Sequence, residues 1–196
     1  MRLIMMGPPG AGKGTQAKRV AQHFKIPAIS TGDIFRAHVS RETDLGKEAK
    51  GYLEVGEYVP DEVTNLMLRD RLDEEDAVPG FVLDGYPRTI AQVAELDGML
   101  HYAGYQVDRV ICLSVEHDQL IARLLDRSQL EGRSDDTEPV IRRRQEIFLE
   151  QTAGLVSVYR DRGLLAEIDG SGDVSQVTER VLSSLQVGPL TGAGHG

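Results

Sequence analysis

The fold is decided by residues 2–16, RLIMMGPPGAGKGTQ, in which an apolar run leads into a turn rich in glycine. The run Arg2–Met6 has the length and apolarity of a strand that is buried on both faces. Residues 16–24 are predicted to form an amphipathic helix, because small and apolar residues fall on one stripe. A strand, a glycine-rich loop and a helix in this order are typical of a phosphate-binding site.

The loop itself, residues 7–15, contains the residue types that phosphate binding requires. Glycines let backbone N–H groups converge on an anion, and the helix start adds the positive end of its dipole. Lys13 adds a mobile cation for the outer phosphates. Gly14 stands where most P-loops have a Ser or Thr that binds magnesium, and Thr15 comes one position later. We therefore expect Mg²⁺ to be held by phosphates and waters, with acidic side chains from further along the chain.

The chain has 196 residues, enough for one well-packed domain. Its net charge of −9 disfavours nucleic acid as a partner, because nucleic acid requires a basic surface, but it permits nucleotide binding. No run approaches the roughly eighteen apolar residues of a membrane span, so no membrane partner is expected and the predicted location is cytoplasmic. The single cysteine, Cys112, lies in an apolar run and is interpreted as a buried structural thiol.

Strand-like and helix-like segments alternate along the chain, which predicts βαβ units and an α/β fold with a parallel sheet. The predicted strands cover residues 2–6, 26–30, 80–85, 109–115 and 164–168. The predicted helices cover residues 16–24, 34–39, 45–55, 61–72, 89–102, 117–127, 138–162 and 174–185. Three helical segments between neighbouring strands exceed what a crossover needs, so residues 31–72 are interpreted as an inserted helical subdomain.

Two acidic residues follow predicted strands, at the edge where open α/β sheets bind ligands. Asp84 ends a strand and could hold Mg²⁺ through water beside the phosphates. The alternative for Asp84 is a helix cap or a turn. Asp33 could serve the same ion, or it could cap the helix that begins near it.

Arginines are the second charged group of interest. They are Arg36 and Arg88 just after sheet edges, Arg123 and Arg127 on one predicted helical face, Arg133 in a polar loop, and the trio Arg142, Arg143 and Arg144. Two of the trio are interpreted as solvated charges. Phosphoryl transfer spreads negative charge over the migrating group, and guanidinium groups hold phosphate oxygens bidentately. The sequence shows no Cys/His cluster that suggests zinc and no Ser-His-Asp arrangement that suggests covalent catalysis.

Four motifs, taken together and in order, resemble those of the adenylate kinases among the nucleoside monophosphate kinases. They are GPPGAGKGTQ at 7–16, STGDIFR at 30–36, LDGYPRT at 83–89 and GRSDD at 132–136. The resemblance implies a P-loop NTPase-type core of five parallel strands (1–29, 73–127, 138–187), an NMP-binding subdomain (30–72), a closing lid (128–137) and a flexible tail (188–196). Because the stretch between Arg127 and Arg133 is short, the chain resembles the short-lid members without zinc.

The resemblance also implies a role for each matching residue. ATP binding is implied for Gly10, Ala11, Gly12, Lys13, Gly14, Thr15, Arg123, Arg127 and Gly172. AMP binding is implied for Thr31, Arg36, Glu57, Tyr58, Val59, Gly85, Tyr86, Pro87, Arg88, Gln92, Arg133 and Arg144. Catalysis is implied for Lys13, Arg88, Arg127, Arg133 and Arg144, Mg²⁺ binding for Asp33 and Asp84, and lid closure for Asp135 and Asp136.

The implied reaction is the transfer of a phosphoryl group from MgATP to AMP, giving two ADP, by a monomeric enzyme. One alternative is a UMP/CMP kinase, whose motifs differ from this chain at Thr31, Thr89 and Gln92. A second alternative is a nucleotide-binding switch, which would not need the second set of phosphate-binding arginines, Arg36 and Arg88.

Overall fold

The structure is a computed structural model that describes residues 1–116, 119–121, 123–125 and 137–186. Its strands are β1 Arg2–Met6, β2 Ala28–Ser30, β3 Phe81–Asp84, β4 Arg109–Ser114 and β5 Leu165–Asp169. They form one sheet in the order β2-β3-β1-β4-β5, and every neighbouring pair is parallel. The α/β fold with a five-stranded parallel sheet is therefore confirmed.

The helices are α1 Lys13–Phe24, α2 Thr31–Ser40, α3 Asp44–Val55, α4 Asp61–Leu72, α5 Ile90–Tyr102, α6 Glu138–Ile147, α7 Leu155–Asp161 and α8 Val174–Gln186. A short 3-10 helix, Glu75–Ala77, follows α4. Residues 119–121 and 123–125 are helical, within the predicted helix 117–127. None of the helices in the described ranges has both the length and the apolarity that crossing a membrane requires.

The central strand β1 shows why the sheet is buried on both faces. Leu3 and Met5 pack into a cluster that includes α1 and α8, while Ile4 and Met6 pack into a second cluster with α5 and α7. Successive side chains of a strand point to opposite faces, so a continuous apolar run fits a sheet that has helices on both sides. This arrangement fixes the end of β1, and with it the glycine-rich loop, at the carboxyl edge of the sheet.

The inserted segment is helical, as predicted. Helices α2, α3 and α4 lie between β2 and β3, which are neighbours in the sheet. They have a small apolar cluster of their own, formed by Phe35, Ala49, Val59 and Met67. Gly46 allows α3 to approach α2, because a Cβ there would lie 2.1 Å from the carbonyl oxygen of His38.

The prediction of one continuous helix over residues 138–162 is wrong. Helix α6 ends at Ile147, a π-helical turn covers Phe148–Thr152, and α7 begins at Leu155. The Ala153 N–H donates to the carbonyl of Phe148, five residues earlier, at 2.8 Å. A single wide turn leaves the apolar periodicity on either side almost unchanged, so the sequence does not reveal it.

Two boundaries also differ from the prediction. Helix α1 begins three residues earlier than predicted, because the end of the glycine-rich loop already forms its first turn. Strand β2 begins only at Ala28, because the N–H of Ile26 still bonds to Ala21 of α1 and Pro27 has no N–H. The predicted lid lies outside the described residues except for Thr137, and the predicted tail lies outside them entirely.

Candidate active site

A cleft of about 800 Å³ opens at the carboxyl edge of the sheet, a volume typical of small-molecule sites. Every predicted site residue within the described ranges lines it. They are Gly10, Ala11, Gly12, Lys13, Gly14, Thr15, Thr31, Asp33, Arg36, Glu57, Tyr58, Val59, Asp84, Gly85, Tyr86, Pro87, Arg88, Gln92, Arg123, Arg144 and Gly172. Arg127, Arg133, Asp135 and Asp136 lie outside the described residues.

The glycine-rich loop between β1 and α1 has a backbone that few other residues could adopt. Gly7, Gly10 and Gly12 have φ values of +136°, +87° and +90°. A Cβ on Gly7 would lie 2.5 Å from the carbonyl oxygen of Leu113 in β4. Lys13 is the first residue of α1, and its Nζ donates to the carbonyl of Pro8 across the loop at 2.9 Å. Backbone amides, a helix N-terminus and an ammonium group therefore meet at one place, which suits an anion.

Asp84 ends β3 beside this loop. In the sheet it pairs with Met5 of β1 and with Ser30 of β2, so it lies at the centre of the carboxyl edge. A Cβ on Gly14 would lie 3.2 Å from Asp84 Oδ2, so the Asp84 carboxylate approaches the first turn of α1 closely. A carboxylate at this point offers the oxygen ligand that Mg²⁺ prefers.

Asp33 has a different setting from Asp84. The cap of α2 is Ser30, whose Oγ accepts from the N–H of Asp33 at 3.3 Å, so the capping alternative for Asp33 is wrong. Asp33 lies in the first turn of α2, and its carboxylate forms an ion pair with Arg36 at 2.5 Å. Within this pair Asp33 orients Arg36 on the wall of the cleft.

The carbonyl of Gly85 connects the inserted helices to the loop after β3. It accepts from Thr31 Oγ1 at 3.0 Å and from Arg88 Nε at 2.7 Å. Gly85 has φ +83°, and a Cβ there would lie 2.8 Å from Thr31 Oγ1. Only glycine therefore permits this close approach of Thr31 and Arg88, and the Gly85 carbonyl holds Arg88 through its Nε.

Arg88 is also held by two residues that are remote in sequence. Its guanidinium carbon lies 4.7 Å from the centre of the Tyr58 ring, a cation–π distance. Thr152 Oγ1 donates to the carbonyl of Arg88 at 3.0 Å, and Tyr58 Oη donates to Thr152 Oγ1 at 2.8 Å. The sequence prediction missed Thr152, because only the π-helical turn brings its hydroxyl to this position.

Gln92 and Tyr86 are more buried than their predicted roles suggest. Tyr86 packs in the main core, and its hydroxyl donates to Asn65 at 2.7 Å. Burial raises the pKa of Tyr86, so the hydroxyl keeps its proton and remains a donor. The amide of Gln92 contacts the Arg88 N–H and the carboxylate of Asp61, a residue that the sequence prediction did not include.

The other arginines divide between the cleft and the surface. Both outer nitrogens of Arg123 donate to the carbonyl of Gly170 at 3.2 Å, near Gly172. Arg144 lines the cleft, whereas Arg142 pairs with Glu138 in solvent. Arg143 bonds to Glu57 at 2.8 Å and so connects α6 to the end of the inserted segment.

Cys112 supports the structural interpretation of the thiol. It is partly buried in β4, and burial raises the pKa of its thiol, which disfavours the reactive thiolate. Cys112 is not among the residues that line the cleft.

A parallel sheet with a phosphate-binding loop, together with a second set of arginines on the same cleft, defines a nucleotide phosphotransferase of the P-loop class. The family model for adenylate kinase matches residues 5–164. The chain belongs to the adenylate kinase family.

Relatives that are similar over nearly the whole chain agree with this assignment. The chain is 64% identical to an adenylate kinase of Nocardioides sp. over 189 residues, 96% of this chain and 99% of that protein. It is 54% identical to an adenylate kinase of Kocuria rhizophila, over 94% and 98% of the two chains. It is 52% identical to an adenylate kinase of Thermobifida fusca, over 95% and 98%. The UMP/CMP kinase and the switch are not favoured.

Proposed function

We propose that the chain transfers a phosphoryl group reversibly from MgATP to AMP, giving two ADP, and that the cleft residues described above carry out this reaction. The observation that supports the proposal is that two separate groups of residues suited to phosphate line one cleft. One is the glycine-rich loop with Lys13, and the other is formed by Arg36 and Arg88. A protein that binds a single nucleotide needs only the first set.

ATP is assigned to the end of the cleft at the glycine-rich loop. Backbone N–H groups of residues 10–15 hold its phosphates, and Lys13 neutralises the group that is transferred. Arg123 and Gly172 are assigned to its base. The support for Arg123 is its anchoring to the Gly170 carbonyl, which fixes the guanidinium at that end of the cleft.

AMP is assigned to the end formed by α2, the residues after α3 and the loop after β3. Arg36 and Arg88 hold its phosphate, with Thr31 and Gly85 fixing Arg88 in place. Glu57, Tyr58, Val59, Tyr86 and Pro87 form the surrounding wall, and Gln92 contacts the adenine. Arg144 is assigned to the phosphates between the two nucleotides, and the same role is proposed for Arg127 and Arg133.

Adenylate kinases generally use Mg²⁺ together with ATP. The residues present fit such an ion, because the Asp84 carboxylate lies at the carboxyl edge against Gly14. Asp84 would hold Mg²⁺ through water, with Asp33 as a second candidate. When bound, the ion neutralises phosphate charge.

The protein contributes position and charge rather than acid–base chemistry. In-line transfer between two bound phosphates needs no general base, and orientation alone contributes about 7–11 kcal/mol to such reactions. We propose that residues 30–72 form the NMP-binding subdomain and residues 128–137 the lid, and that both close over the nucleotides to exclude water. The monomeric state, the cytoplasmic location and the absence of zinc stay predictions.

The test is an assay of ADP formation from ATP with AMP, CMP, UMP and GMP supplied in turn. We expect rapid ATP consumption that depends on the monophosphate and is fastest with AMP. Two adenosines joined by five phosphates should inhibit competitively against both substrates. ATP consumption that is independent of any monophosphate, or no inhibition by this bisubstrate mimic, would overturn the proposal.

A further inference from the structure

The side-chain amide of Gln92 is held between two groups of opposite hydrogen-bonding character. Gln92 is 2% exposed and lies in the first turn of α5. Its Oε1 accepts from the backbone N–H of Arg88 at 2.7 Å. Its Nε2 donates to Oδ1 of Asp61 at 2.6 Å. The amide therefore bridges the loop after β3 and the first residue of α4.

These two partners determine which end of the amide is the oxygen. A backbone N–H can only donate, and an ionised carboxylate can only accept. Turning the amide over would set the NH₂ group against the Arg88 N–H and the oxygen against the carboxylate. Both contacts would then be repulsive in a buried place, which is costly.

The Asp61 carboxylate is itself held in position by a hydrogen bond, so it can fix the orientation of the Gln92 amide. Its second oxygen, Oδ2, accepts from the hydroxyl of Thr89 at 2.7 Å. Thr89 caps α5, and its Oγ1 accepts from the N–H of Gln92 at 3.1 Å. The hydroxyl oxygen of Tyr86, which donates its one hydrogen to Asn65, also lies 3.2 Å from the Gln92 carbonyl oxygen. Side chain and backbone of Gln92 are thus fixed together.

One acceptor and one donor of the amide remain for a ligand. Oε1 keeps a second lone pair and Nε2 keeps a second hydrogen. Adenine offers the complementary pair, an amino group that donates and a ring nitrogen, N1, that accepts. A 6-oxo purine offers the reverse pair, a carbonyl that accepts and an N1–H that donates, and only an inverted amide could match it.

We propose that Asp61 is a specificity-determining residue, which by fixing the orientation of the Gln92 amide makes the monophosphate site select a 6-aminopurine over a 6-oxopurine. The inference rests on the proposed function, in which Gln92 contacts the acceptor base. Asp61 acts as a positioning residue, because it works through Gln92. The fixed amide does not by itself separate adenine from cytosine, whose amino group and N3 present the same pattern as adenine.

The experiment compares AMP with inosine monophosphate, which has the size of AMP and the reversed pattern. In the Asp61→Asn variant the new amide can turn either end toward Gln92, so one of the two constraints on the amide is lost. We expect the ratio of kcat/KM for AMP to that for inosine monophosphate to fall by about tenfold, chiefly through KM. The ratio of kcat/KM for AMP to kcat/KM for CMP should change much less.

Two further variants supply the controls. Glu62→Gln removes a neighbouring acidic charge from the same turn of α4 and should leave both ratios as in the wild type, because Glu62 is exposed. Asp61→Ser replaces the carboxylate by a hydroxyl that can donate or accept, and it should reproduce the loss of selectivity if Asp61→Asn does not fold.

The outcomes separate the inference from the proposed function. Suppose that Asp61→Asn or Asp61→Ser folds and keeps the wild-type ratio of kcat/KM for AMP to that for inosine monophosphate, while Gln92→Ala loses this selectivity. Gln92 then contacts the base, but Asp61 does not orient it, and the inference is overturned. If Gln92→Ala also keeps the ratio, the assignment of Gln92 to the base fails as well. If ADP formation with AMP is absent even in the wild type, the proposed function itself fails.

Discussion

At the end of the cleft assigned to ATP, the phosphate site is backbone from a single loop of nine residues, whereas at the AMP end it is made of side chains from several elements. Residues 7–15 form the cradle through their own positive φ values, and close backbone approaches to Leu113 and Leu120 hold it against the core. Arg88, by contrast, depends on Gly85, Tyr58 and Thr152. Phosphate binding at the ATP end should therefore be disturbed by a change to one backbone position in the loop. Phosphate binding at the AMP end should be disturbed by a change in any of the distant segments that hold Arg88.

The largest effects should come from the one cation at each end that the reaction most requires. Lys13→Met and Arg88→Ala should each lower the rate of ADP formation by at least about 100-fold, because each removes charge stabilisation of the migrating group. Lys50→Met, a change of the same kind at an exposed site on α3, is the control and should have no effect. Turnover similar to wild type in either cleft variant would refute the assigned role.

The glycines of the loop test whether the ATP end depends on steric contact as well as on conformation. Both positions require a positive φ, +136° at Gly7 and +90° at Gly12, but of the two only the Cβ at position 7 would meet atoms within 4 Å, the nearest being the Leu113 oxygen at 2.5 Å. We expect Gly7→Ala to lower the free energy of unfolding by about 2 kcal/mol more than Gly12→Ala, measured by urea denaturation. Equal losses would mean that conformation alone matters.

Tyr58 tests the dependence of the AMP end on a remote segment. Tyr58→Leu removes the ring beside Arg88 and should raise the KM for AMP about two- to fivefold, the size of a partly exposed cation–π contact. Tyr58→Phe keeps the ring and should have the smaller effect. The KM for ATP is the internal control, and an equal rise for both nucleotides would contradict a role confined to the AMP end.

The smallest effect should come from the Arg71–Asp76 pair, where the chain returns from α4 to β3. The hydrogen bond from Arg71 lowers the pKa of Asp76 in the folded protein. The pair therefore stabilises the fold above the unfolded pKa of about 3.9, and this contribution is lost as the pH falls through the lowered value. Because the pair is exposed, Asp76→Asn should lower the free energy of unfolding at pH 7 by less than about 1 kcal/mol.

Denaturation at several pH values checks the last prediction, with Asp70→Asn, at an exposed site on α4, as the matched control. The difference between wild type and Asp76→Asn should shrink toward zero in acid. A difference that is unchanged in acid would mean that the effect is not electrostatic. Neither variant should change the KM for ATP or AMP, because both positions lie outside the cleft.

Much of the fold followed from local sequence patterns. The five strands, the three inserted helices and the glycine-rich loop were each predictable, because buried runs, helical periodicity and glycine turns are properties of short segments. The π-helical turn Phe148–Thr152 was not predicted, because the apolar residues on each side of it keep helical spacing and the extra residue only offsets one stripe from the other. Thr152 was consequently missed as a partner of Arg88.

The sequence by itself determined which residues are capable of holding phosphate, because glycine conformations, a lysine at a helix start and arginines after strands are local chemical facts. Only the tertiary structure decided how these residues are held: that Arg88 bonds to Gly85 and lies beside Tyr58, and that Asp61 faces the amide of Gln92. The physical reason is that a side chain's orientation depends on partners that folding brings from remote parts of the chain. A hydrogen bond between residues 61 and 92 exists only once α4 has packed against α5.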